Sequence, residues 1–188
     1  MNRVRDASNR AASIENLRQV GVGIADFSAD NNDCLPLSRV GSTFWPEVIY
    51  PYVSGPAVFL RPGSKNFPMD ANHPDGYLGG VDVKTPDGIP IRWNYVINGG
   101  HPQLPFSESR DNPLYARGLA RSMSTVEQPD RTVFMADGSG WWLNGEAKPD
   151  SNRMYRWKNA TTNVLFGDGS TRNLNCKTDL TASQFLAD

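Results

Sequence analysis

Residues 158–170 read Lys158-Asn159-Ala160-Thr161-Thr162-Asn163-Val164-Leu165-Phe166-Gly167-Asp168-Gly169-Ser170. The apolar run through Val164, Leu165 and Phe166 suits a buried strand, and Asp168-Gly169 suits a tight turn with positive φ. The same order recurs in Thr132-Val133-Phe134-Met135-Ala136-Asp137-Gly138-Ser139: apolar run, small residue, Asp, Gly, Ser. Two copies do not make a solenoid. They fit two strands paired in one antiparallel sheet. Trp141-Trp142-Leu143 and Thr171-Arg172-Asn173-Leu174 then read as the return strands of two hairpins. The stretch from Asp179 to Phe185 reads as a short closing helix.

Working back to the start of the chain, residues 2 to about 29 read as one helix. Val4, Ala7, Ala11, Ile14, Leu17, Val20, Ile24 and Phe27 recur every three or four positions, which predicts one apolar face. Gly21 and Gly23 each cost about 1 kcal/mol against Ala in a helix interior, so they predict a close approach or a bend. Asp30-Asn31-Asn32-Asp33 ends the helix, because short polar side chains compete for backbone hydrogen bonds. A calcium loop would also need a mid-loop Gly and a distant Glu, which this cluster lacks. Residues 43–53 predict a short helix or turn. Between 64 and 128 the chain is dense in Pro, Gly, Asn and Asp, with one strand expected over residues 89–97.

The 188 residues suit one domain with a sizeable core. An apolar fraction of 38% with 21% charged residues argues against disorder. The net charge of −1 and the lack of Lys or Arg clusters argue against a nucleic-acid groove. No stretch approaches the about 18 apolar residues of a membrane span, and no signal peptide is visible.

The helix running into Asn31-Asn32-Asp33-Cys34-Leu35-Pro36, together with the Asp-Gly strand near the other end, resembles the prepilin-like, type II secretion G-like family of pseudopilins. Thr43 to Val53 is similar to that family's Trp-to-Pro-Tyr segment, and Tyr95-Val96-Ile97-Asn98 to its Y-x-x-N strand. The likeness covers residues 8–36, 44–64, 93–98 and 129–174. Two positions depart from it. Arg61 stands where relatives carry a Cys, and Lys158 where they carry the His of an H-x9-D-G motif.

The resemblance implies an α+β, pilin-like fold: a long N-terminal helix packed on an antiparallel β-sheet with a long loop-rich insertion. One domain over residues 1–188 is expected, with the helix at 1–30, a loop-rich middle at 31–128 and C-terminal hairpins at 129–188. It implies a fragment whose membrane-anchoring helix is absent, from a protein on the outer side of the cytoplasmic membrane. The partners would be other pilin-like subunits and the secretion or pilus machinery. Val4, Ala7, Ala11 and Ile14 would form the assembly face of the helix. The expected function is structural, not enzymatic, and no nucleophile elbow, S-x-x-K or P-loop is present.

Other residues leave alternatives open. If their turns were equivalent, Asp137 and Asp168 would sit at one end of the sheet. There they would serve a calcium site, of the kind major pseudopilins carry in a C-terminal loop, or an acid–base pair, or simply make hairpin turns. Cys34 and Cys176 allow one disulfide, which would contribute about 4–5 kcal/mol across so long a loop, or two separate thiols. His73 and His101 have no ligand spacing to a partner. Asn159 meets the N-x-[ST] pattern, which is common by chance. Trp141, Trp142 and Trp157 support a rival reading, a membrane-tethered module binding glycan or a surface partner; the alternative is packing under the middle loop.

Overall fold

Helix α1 (Arg3–Asp30) leads the structure and is 28 residues long. It is a computed structural model that describes residues 3–37, 39–40, 43–63, 83–98, 122–138, 142–143, 161–176 and 178–180. The expected helix stop is present. The Asn31 side-chain amide donates to the Phe27 carbonyl at 2.8 Å, and the Asp33 N–H to the Ser28 carbonyl at 2.8 Å. Asn32 and Asp33 take left-handed φ values of 54° and 63°, a conformation that Asn and Asp tolerate best among residues with a Cβ.

After the helix come a two-stranded ribbon, β1 (Arg39–Val40) with β2 (Thr43–Phe44), and the short helix α2 (Trp45–Ile49). Two 3-10 turns follow at Tyr50–Tyr52 and Pro56–Phe59. These segments pack beside α1 through Trp45, Ile49 and Phe59, with the Trp45 and Phe59 rings edge-to-face at 5.5 Å. Gly23 is required there. A Cβ on it would lie 2.8 Å from Val53 Cγ1 and 3.2 Å from the Tyr52 carbonyl oxygen.

The main sheet contains β3 (Tyr95–Asn98), β4 (Val133–Asp137), β5 (Trp142–Leu143), β6 (Thr161–Phe166) and β7 (Thr171–Asn175), in the order β5-β3-β4-β6-β7. The expected β4–β6 antiparallel pair and β6–β7 hairpin are both present. The hairpin closes at Gly169, φ 79°, whose N–H donates to the Phe166 carbonyl at 3.0 Å. The first expected hairpin is not present. β4 is already flanked by β3 and β6, so no edge is left for a return strand, and β5 instead runs parallel to β3. The strand expected over 89–97 is also shorter. Pro90 has no N–H to extend a ladder; residues 83–91 make a small hairpin, and β3 begins only at Tyr95.

α1 lies across β4, β6 and β7 on one face of the sheet, and a second apolar cluster covers the other. Leu17, Val20 and Ile24 meet Tyr95, Ile97, Met135 and Leu165 on the helix side. Val96, Val133, Ala136, Val164 and Phe166 form the far side with Cys176 and Leu180. Gly21 lets the helix settle on the sheet, since its Cβ would sit 2.9 Å from Leu165 Cδ1. The architecture is α+β. Among the described residues no helix is long and apolar enough to cross a membrane.

Candidate functional site

The eight apolar positions read from α1 do not form one face. Their steps of three outnumber their steps of four, so the line winds around a helix of 3.6 residues per turn. Val4 and Ile24 are about five and a half turns apart and point to opposite sides. Leu17, Val20 and Ile24 are buried on the sheet side, whereas Val4 is 75% exposed and Ala7 and Ala11 are exposed as well. Ile14 is half-buried. The residue that faces the core in this turn is Ser13, fully buried.

Ser13 belongs to a polar cluster that joins α1 to three strands. Its hydroxyl donates to Asp137 Oδ1 at 2.6 Å, at the end of β4. With its single proton committed there, Ser13 accepts from the Tyr95 hydroxyl, 3.4 Å away on β3. Asp137 Oδ2 receives the Asn163 N–H at 3.3 Å from β6. The Asn163 side chain donates to the Arg10 carbonyl at 3.2 Å and accepts from Asn173 at 2.8 Å. Asn16 donates to the Leu60 carbonyl at 2.9 Å.

Tyr95, Asp137 and Asn163 are fully buried. Burial first, and then the nearby Asp137 charge, push the Tyr95 phenol well above its ordinary value. Arg61 is buried near the same phenol and acts in the opposite direction. Buried polar groups are tolerated when hydrogen-bonded to one another. This cluster fixes the helix on the sheet, with Asp137 0% exposed within it.

Asp168 is not part of the cluster. It lies exposed in the β6–β7 turn, where Oδ1 accepts the Ser170 N–H at 2.9 Å. Antiparallel pairing of β4 with β6 puts the ends of the two strands, and so the two aspartates, at opposite ends of the pair. The arrangement does not fit a shared calcium site, because the ion needs six to eight oxygens converging on one point. Among the described residues no group of three or more His, Cys, Asp and Glu side chains could hold a metal.

No disulfide joins the cysteines: Cys34 bridges to Ser122 after the helix stop, and Cys176 sits in the far-face cluster. Trp141, Trp157, His73, His101, Lys158 and Asn159 lie outside the described residues, and of Trp142 only the strand backbone is described. The sequence had given no sign of Ser13, Asn163 or Arg61 as a group. The one available signal was a hydroxyl on the core side of an otherwise apolar helix line.

Among the described residues, the exposed side of α1 is a further candidate for function. Val4, Ser8, Ala11, Glu15, Arg18, Val22, Ala25 and Ala29 are all exposed and run the length of the helix. Comparison of the chain with protein-family models, with curated proteins and with solved structures finds no match to any of them.

Proposed function

We propose that the protein is a pilin-like or pseudopilin subunit, a structural component of a type II secretion or type IV pilus-like assembly. The observation that carries this reading is the division of α1. From Ser13 onward its inner side is buried on the sheet, while Val4, Ala7 and Ala11 are exposed near its start. Single exposed apolar residues are ordinary, but several at helical spacing on one long helix suit a helix packed against neighbours. A second support is the α+β architecture, with its long N-terminal helix laid on a largely antiparallel sheet. On this reading the protein works through surfaces and has no catalytic centre. The reading assigns it to the outer side of the cytoplasmic membrane, anchored by an apolar helix and contacting other subunits and the secretion machinery.

The test places a photoreactive residue at Ala7 in the full-length protein in its native cells. Ile89, 46% exposed on the small hairpin, serves as the control position. A ladder of cross-linked multimers from position 7 and not from position 89 is expected. Absence of multimers at position 7 under conditions where the secretion or pilus system is active would overturn the reading.

A further inference from the structure

The charges of α1 are segregated against its own dipole. Arg3, Arg5 and Arg10 outnumber Asp6 in the first third, and the only charges after Arg18 are Asp26 and Asp30. A helix is stabilised by acidic groups at its start and basic groups at its end, so this order works against the helix that carries it. A local rule broken in this way points to a surface that serves a contact.

The two ends of the helix match each other. Asp26 and Asp30 lie within about 60° of Arg5 around the helix, and all three are exposed. Asp6 is turned about 100° away from Arg5 and is half-buried. Apolar groups accompany the charges at both ends. Val4 is 75% exposed beside Arg5. Beside the carboxylates lie half-buried Phe27 and Tyr52, their rings edge-to-face at 5.8 Å, and exposed Pro51. The Tyr52 hydroxyl donates to Asp30 and lies within the field of Asp26. We propose that the start of α1 in one copy docks in parallel on the end of α1 in the copy below it, with Arg5 between Asp26 and Asp30 and beside the Tyr52 ring.

This contact rests on the assembly reading above and fixes its register. Asp26 and Asp30 follow Arg5 by 21 and 25 positions, so the opposite charges meet when one copy is raised by about 32–38 Å along the helix. Parallel copies at the same height set Arg5 against Arg5 and Asp26 against Asp26, which repels. The required rise exceeds the hydrocarbon core of a bilayer, about 30 Å. A copy anchored through the start of α1 therefore holds a copy that has left the membrane and rejects one still beside it. Because the two surfaces differ, the contact is heterologous, and every copy offers both halves of it to the next.

The test uses the full-length protein in its native cells, with the secretion or pilus system active. A photoreactive residue replaces Ser8, which is exposed about 60° from Arg5 around the helix. Cross-linked multimers are digested with trypsin, and the peptide joined to position 8 is identified by mass spectrometry. The expected product is joined to residues 19–39 of another copy, the peptide that carries Asp26 and Asp30. Charge exchange supplies the second readout. Arg5→Asp is expected to lower the multimer yield about tenfold by facing Asp26 and Asp30 with a like charge. Adding Asp26→Arg and Asp30→Arg to it should restore the yield. Arg5→Asp agrees with the helix dipole, so the thermal midpoint of the purified protein should not fall. Multimers joined only through residues 6–18 of another copy would show pairing at one height, overturning this proposal while leaving the assembly reading standing. An Arg5→Asp protein that multimerises like the parent would do the same. Absence of multimers from the parent would overturn both.

Discussion

Asp33 shows how much one residue at a helix stop can hold together. Its carboxyl accepts the hydroxyl of Ser122, the hydroxyl of Ser124 at 2.6 Å and the Ser124 N–H at 3.0 Å. The Met123 N–H donates to its carbonyl at 2.8 Å, so one residue ties the end of α1 to the 3-10 turn Met123–Thr125 that precedes β4. Those donors, Ser122 first, hold its pKa below the ordinary value of 3.8. The folded state therefore releases the proton more readily than the unfolded chain does. The resulting stabilisation is fully present above the unfolded value and is lost as pH falls through the lower folded value. Asp33→Asn should flatten the acid side of the stability curve, read as the thermal midpoint from about pH 2 to about pH 6. An unchanged acid limb would remove Asp33 from the account. From sequence, the cluster at 30–33 was legible as a helix stop because the short side chains act locally. Its tie to Ser122 and Ser124 was not, because the partners lie about ninety positions away.

At the scale of elements, the β4–β6 pair carries a bulge. Val133 faces Phe166 and Met135 faces Leu165, so β4 holds one extra residue, Phe134, against its partner. The shift brings both Phe134 and Met135 into the helix-side core while Val133 and Ala136 stay on the far face. Phe134 then lies over the start of the Gly167-Asp168-Gly169 turn. A Cβ on Gly167 would be 2.7 Å from Phe134 Cε1 and 3.1 Å from the Pro129 carbonyl oxygen. Gly167→Ala should destabilise the fold by about 1–3 kcal/mol through overpacking, measured by chemical denaturation. In a Phe134→Leu background the penalty of the same substitution should shrink; equal penalties in both would show that the ring is not the cause. The turn and its strand were readable from Phe166-Gly167-Asp168-Gly169, whose chemistry is local. The bulge was not, since the apolar run of β4 is buried on both faces and shows no alternation to mark a change of phase. The β5 placement escaped for a similar reason: which edge stays open depends on β3 and β6, far away in sequence.

For the whole molecule, the layered plan was visible in the order of one long helix and several late strands, which identifies an α+β arrangement. The helix stripe was misread because spacings of three and four were counted as one face without following the angle they accumulate. Followed through, Val4, Ala11 and Val22 share the outer side, and Leu17, Val20 and Ile24 the inner. This separation lets the inner and outer sides of α1 be tested independently. Ala7→Glu with Ala11→Glu puts two charges on exposed positions at a cost of a few tenths of a kcal/mol each in helix propensity. The decisive measurement compares this double variant with the parent in the native cells, reading thermal stability of the purified proteins beside sedimentable multimers from the cells. The account predicts a nearly unchanged thermal midpoint and loss of the multimers. Multimers as abundant as those of the parent, from a variant that folds equally well, would contradict it.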